Sequence, residues 1–229
     1  MPKITILDET TKYPLQKIGK MAGICWGADV NDVEKNIKRA KDCIEAGHGR
    51  VLEYVDIEMV IEEVSARMIR EWYTHIAGGP TRLQESTRYV KWNGGLVENM
   101  IIPPKVKEAV DSDIVLANEL QSIDDLLSLF YKDLEIRGVP KEDIAMFYPL
   151  GMKTKICDKR NLRNLIEMSH KRLCTRAYWE YRKVMREICK ELMLISDEWA
   201  WIVENYLIPQ CDVLGYCPEK KGCGRKPNK

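Results

Sequence analysis

Gly78-Gly79-Pro80 is the tightest local constraint in this chain. Two glycines and a proline in succession cannot continue a helix or sit in a central strand. Glycine loses too much backbone entropy, and proline has a fixed φ and no N–H. Ser65 to Tyr73, just before, predicts a helix whose charged and aromatic end is Arg70-Glu71-Trp72-Tyr73. After the break comes a polar run, Thr81 to Tyr89, carrying Arg82, Arg88, Ser86 and Thr87. Backbone amides approach closely where glycine removes the side chain, and arginine offers a planar fork. Such a corner suits an anion. The same residues also suit an ordinary turn followed by a solvated polar edge.

The flanking patterns mix two periodicities. Lys3 to Leu7 and Val55 to Met59 alternate as strands, the second with one acidic face. Thr87 to Lys91 and Met152 to Ile156 are further strand candidates, and Trp92 to Gly95 predicts a turn. Asp32 to Ala46 has helical spacing, with Asp29 or Asn31 as cap and Gly47 as stop, and His48 falls in an exposed turn. The stretch before it, through Cys25-Trp26-Gly27, is a glycine- and proline-containing passage given no helix or strand, and so irregular. Lys105 to Arg137 predicts a helix broken near Asp111-Ser112-Asp113, with Ile114 to Leu134 spaced to bury one face. Asn161 to Ile195 predicts a long helical region interrupted near Cys174, and Asp197 to Leu207 a last helix. The expected class is α+β, long helices packed with a small, mainly antiparallel sheet. Residues 1–208 are expected to form a single catalytic domain and residues 209–229 a cysteine-containing tail.

Lysine plus arginine number 36 against 35 aspartates and glutamates, which gives no global drive towards nucleic acid or a membrane surface. No apolar run has the length to span a bilayer, so a soluble, cytoplasmic protein is expected. The eight cysteines are scattered, with no Cys-x-x-Cys pair. They predict reduced thiols, and the spacing of Cys211, Cys217 and Cys223 is too wide for a usual zinc knuckle.

Two stretches carry a resemblance. Ser86-Thr87-Arg88-Tyr89 resembles, in order and spacing, the end of the motif Arg-His-Arg-x-x-Ser-x-Asn-Glu-x-Ser-x-Arg-Tyr of the flavin-dependent thymidylate synthases. His75 aligns with its histidine if two residues are inserted around Gly78-Gly79-Pro80. Further on, the locally basic region Lys159 to Lys190 reads equally as a solvated helical face. It nonetheless resembles the same family without a gap through Pro149-Leu150, Asn161-Leu162-Arg163-Asn164-Leu165, Arg172 and Ala177-Tyr178-Trp179-Glu180.

The resemblance implies a homotetramer that makes dTMP from dUMP. Methylenetetrahydrofolate would be the carbon donor, FAD the cofactor and NADPH the reductant, and no metal or cysteine nucleophile would be needed. It places Arg172 at the uracil ring as the catalytic residue. Glu71, Gln84, Ser86, Thr87 and Arg88 would bind dUMP, and His75, Asn161, Arg163 and Glu167 the flavin. It also exposes departures: Thr74, Ile76 and Gln84 replace two arginines and a glutamate, Ala145 and Arg176 replace an arginine and a histidine, and Glu167 replaces an asparagine. Two alternatives stay open. One is a related flavin enzyme with another product at the pyrimidine C5, such as hydroxymethylation. The other is a nucleotide-binding protein that has lost its flavin site.

Overall fold

A computed structural model of the chain describes residues 2–89 and 95–229. Val90 and Lys91 of the strand expected over Thr87 to Lys91, and Trp92 to Gly94 of the turn expected over Trp92 to Gly95, lie outside the described residues. What is described of the first is a turn at 87–89, with Tyr89 N–H donating to Ser86 O at 3.2 Å. The strand of this stretch falls earlier, at β3 (Thr81–Gln84).

The other strands are β1 (Lys3–Ile6), β2 (Asp56–Ser65) and β4 (Lys153–Asn161), and the sheet order is β1-β2-β4-β3. The fold is mixed, long helices with a small antiparallel sheet. Ile57, Met59 and Ile61 of β2 are buried while Asp56 and Glu58 stay partly in solvent, the acidic-face alternation read from sequence. The alternation slips at Glu63, whose φ of 56° is left-handed, and Val64 and Ser65 are then buried in succession. Ser65 Oγ accepts from Met68 N–H at 3.0 Å and so starts α3 (Ala66–Trp72).

The chain divides into two compact units, one of residues 62–72 and 84–156, the other of residues 2–61, 73–83 and 157–229. The second holds α1 (Pro14–Cys25), α2 (Val33–Glu45), α7 (Leu162–Arg172), α8 (Trp179–Met193), α9 (Asp197–Tyr206) and α10 (Gln210–Leu214). Its core includes Leu15, Ile18, Tyr181, Ile188 and Trp199. α1 corrects the expectation of an irregular passage. Its local N-cap, Tyr13, makes no side-chain cap bond; instead Glu198 Oε2 of α9 accepts from Leu15 N–H (2.7 Å) and Gln16 N–H (3.1 Å). Gly19 lets α1 and α2 touch, since a Cβ there would sit 1.8 Å from Asn36 O. α2 is capped by Asp32, which accepts from Lys35 N–H at 3.0 Å; neither Asp29 nor Asn31 takes that role.

The first unit holds α4 (Pro104–Ser112), α5 (Ile114–Ile136) and α6 (Lys141–Ile144). The expected break is real, and Asp113 caps α5 by accepting from Val115 N–H at 2.8 Å. Among the described residues the expected burial of one face of α5 is only partial. Asp124 is its buried residue, whereas Leu126 is 67% exposed and Leu129 57%. β4 extends five residues past the expected Ile156 and carries Thr154, Ile156, Asp158 and Arg160 inward. No helix among the described residues is long and apolar enough to cross a membrane.

Candidate active site

The centre of the second unit's polar chemistry is the last turn of α7. Asn161 starts this helix, its Oδ1 accepting from Asn164 N–H at 2.9 Å. The helix ends on His170-Lys171-Arg172, where the charges of Lys171 and Arg172 meet the exposed carbonyls favourably. Arg172 Nε donates to His75 Nε2 at 3.0 Å. The Arg172 guanidinium also lies 4.5 Å from the Tyr181 ring centroid, and His75 meets that ring edge-on at 6.0 Å.

Burial and nearby cations together set the state of His75. Burial first, then the charges of Arg172, Arg160, Lys171 and Arg82, lower its pKa to about 4. The ring is therefore neutral at pH 7. With Nε2 accepting from arginine, Nδ1 carries the hydrogen. A neutral histidine aims an arginine that itself never loses its charge.

Gly78, with φ of +75°, packs on Asn161. A Cβ at Gly78 would fall 2.5 Å from Asn161 Nδ2. The loop expected to present backbone amides is thus set directly against the amide expected at the flavin. Arg163 bonds Glu53 at 2.8 Å and lies 3.6 Å from Glu167, so two of the expected flavin residues pair with each other on the surface of α7. Arg82 donates to Tyr73 O at 3.0 Å and stacks over the Tyr73 ring, bracing the loop across its corner.

Sequence reasoning missed a buried pair beneath this site. Arg160, grouped there with the solvated cations, has a fully buried side chain. It makes two bonds to Asp158, at 2.5 and 2.6 Å, and one to Asn164 Oδ1 at 2.7 Å. The available signal was an opposite-charge pair at i, i+2, which a strand places on one face.

The remaining expected residues belong to the first unit. Glu71 is half-buried at the end of α3. Gln84 Nε2 reaches Thr154 Oγ1 at 3.5 Å. Ser86 Oγ accepts from Arg88 N–H at 3.3 Å, and Thr87 is exposed. Arg88 pairs through Nε with Glu142 at 2.9 Å, both side chains more than half exposed. Arg172 and His75 are thus brought together by one unit, and Gln84 and Ser86 to Arg88 are carried by the other.

The tail closes a cavity of about 280 Å³ at the end of α7. Its lining includes Lys171, Arg172, Arg176 and Arg225, together with Cys174, Cys211, Cys217 and Cys223. All eight cysteines are free thiols, and among the described residues no group of three or more His, Cys, Asp or Glu is arranged to hold a metal.

The family described as thymidylate synthase complementing protein matches residues 5–196. Flavin-dependent thymidylate synthase from Pyrococcus furiosus is 31% identical, covering 100% of this chain and 96% of that protein. The enzyme of the same name from Pyrococcus horikoshii is 32% identical, covering 96% and 91%. Thymidylate synthase X from Helicobacter pylori, crystallised with FAD and dUMP, has the same fold at a TM-score of 0.68. It is 17% identical, covering 90% of this chain and 99% of that one. The chain belongs to the flavin-dependent thymidylate synthase family.

Proposed function

We infer that this protein is a flavin-dependent thymidylate synthase. It converts dUMP to dTMP with methylenetetrahydrofolate as carbon donor, FAD as bound cofactor and NADPH as reductant. The observation that carries this reading is the Arg172–His75 contact, in which a neutral histidine orients the arginine that the resemblance assigns to the uracil ring.

The residues present suit a flavin. The Gly78 corner lies against the Asn161 side-chain amide with no room for a Cβ, so the loop backbone could bring its amides close to that side chain. There they substitute for the charges absent at Thr74 and Ile76. His75, Asn161 and Arg163 would hold FAD, with Glu167 setting the direction of Arg163. Bound FAD would supply the redox chemistry between NADPH and the pyrimidine.

The chain's own residues supply binding and electrostatics. Arg172 stabilises negative charge that develops on the pyrimidine, in a position set before substrate arrives. Arg88 clamps the dUMP phosphate once that phosphate displaces Glu142 from its guanidinium. Ser86, Thr87 and Gln84 hydrogen-bond the nucleotide, and Glu71 supports them from the end of α3. No thiol is required. Burial pushes Cys189 up to about 12, which removes it as a nucleophile.

Residues 1–208 act as one catalytic domain and residues 209–229 as its tail. The working form is a cytoplasmic homotetramer, supported by the apolar residues that α5 leaves exposed, among them Ile123, Leu126, Leu129 and Phe130. The family's shared active site would then unite residues that one chain carries in different units.

A titration of FAD absorbance with and without dUMP tests the reading, followed by product analysis. Tight flavin binding whose spectrum responds to dUMP, with dTMP formed, is expected. Nucleotide binding without flavin binding would favour a protein that lost its cofactor site, the reading that Ile76, uncharged and 69% exposed, would support.

A further inference from the structure

Residues 197–229 lie beyond the stretch that the family model matches, although the Pyrococcus furiosus relative aligns over the whole chain. Residues 217–228 form a closed loop. Cys217 N–H donates to Pro227 O at 2.7 Å, Cys217 bridges to Asn228, and Asn228 Nδ2 donates to Glu219 O and Lys220 O at 3.3 Å each. The loop is pinned to the α7–α8 connection through Arg176, which donates to Lys221 O at 2.5 Å and lies 3.5 Å from Glu219.

Within this loop two thiols are presented differently. Cys217 is buried, at 8% exposure, and its Sγ lies 3.3 Å from where a Cβ on Gly222 would stand. Its sulfur therefore rests beside the residue adjoining Cys223. Cys223 is exposed, and Thr175 and the Arg225 backbone and charge hold its pKa below the ordinary thiol value. An exposed thiol whose ionisation is favoured, next in sequence to the glycine against which a second, sheltered thiol rests, suits the way proteins register peroxide.

We propose that Cys223 and Cys217 form a peroxide-responsive thiol pair, Cys223 reacting first and Cys217 resolving it. The Cys223 thiolate attacks a peroxide oxygen. The S–O bond forms, the O–O bond breaks and hydroxide leaves, oxidising the sulfur to a sulfenic acid. The Cys217 thiol then attacks that sulfur. The S–S bond forms, the S–O bond breaks, and water leaves with the thiol proton. The sum is two thiols and one peroxide to one disulfide and two waters.

Closing this bond draws Cys223 towards Cys217 and away from Thr175. The segment it tightens, residues 217–223, includes Glu219 and Lys221, the two holds on Arg176. Because Arg176 replaces a histidine that the resemblance implies lies near the flavin, oxidation is expected to loosen FAD. This last consequence rests on the flavin reading; the disulfide does not.

The test uses the full chain, purified reduced and treated with hydrogen peroxide. Peptide mapping without reductant is expected to give a Cys217–Cys223 link and the loss of two hydrogen atoms per chain. In Cys217→Ser, dimedone is expected to trap sulfenic acid at Cys223, and faster than at exposed Cys25. In Cys223→Ser no link forms. FAD affinity is expected to fall about tenfold on oxidation of the unaltered chain, and to stay unchanged in Cys223→Ser. A link from Cys223 to Cys174, or labelling of Cys223 no faster than Cys25, overturns the pair. Equal FAD affinity in both states overturns the hold through Arg176. Failure of the reduced protein to bind FAD counts against the flavin reading alone, since the mapping still decides the disulfide.

Discussion

Arg172 and His75 are 97 residues apart in sequence and joined by a 3.0 Å bond from Nε to Nε2. The bond exists only while His75 is neutral, because a protonated ring has no lone pair to offer. Its titration in the folded state is therefore expected at about 4, against an ordinary value near 6.5, as read by NMR of the ring resonances. A folded pKa below the unfolded one makes the contribution of His75 to stability full above about pH 6.5. That contribution is lost as pH falls towards 4. Turnover should fall through the same acidic limb as Arg172 loses its seat. In Arg172→Gln the His75 pKa should rise but stay below 6.5, because burial is the larger cause. Arg172→Ala should lower turnover by a factor of about 10²–10³, the size of losing one preorganised electrostatic group. Near-normal turnover would remove Arg172 from the reaction.

Beneath that contact, the Asp158–Arg160 pair has no exposure to water. Removing one member strands the other charge. Asp158→Ala is thus expected to destabilise the fold by about 3–5 kcal/mol in urea unfolding. Replacing both, Asp158→Leu with Arg160→Met, should cost less than either single change. A purely additive double variant would mean that the two groups do not act as a pair.

What could be read from residues alone follows from how local each cause is. The end of α2 at Gly47, the break at Asp113 and the buried face of β2 are all determined by neighbours a few positions away. α1 was not legible, because the acceptor for its first amides is Glu198, at the other end of the chain. β4 was cut short at Ile156 because Asp158 and Arg160 look like surface charges until they are seen to bond each other. The separate motifs around Ser86 and Arg172 gave the chemistry. The seating of Arg172 by His75 needed coordinates, since no spacing rule relates them.

Arg88 and Glu142 form an exposed pair, worth no more than about 1 kcal/mol to the fold. Its expected role is competition with substrate phosphate for the guanidinium. Glu142→Gln should leave the melting temperature nearly unchanged and tighten dUMP by up to about fivefold, the equivalent of that energy. Arg88→Ala should weaken dUMP. Calorimetry of both variants checks the pairing of effects, and unchanged affinity in Glu142→Gln would mean that Arg88 does not leave its partner to bind nucleotide.

Ile123, Leu126 and Leu129 on α5 are more than half exposed among the described residues, and water is a costly neighbour for apolar side chains grouped together. Leu126, 67% exposed, is the most direct probe. Leu126→Glu adds charge where the single chain has no packing to lose, so the fold of one subunit should change by only about 0.5 kcal/mol. In a tetramer whose seam includes α5, the same change buries a carboxylate without a partner. Light scattering should then report a smaller assembly, and turnover should fall with it, because a site shared between subunits cannot be completed by one. A variant that keeps its assembly mass and loses no activity would place the subunit seam on another surface.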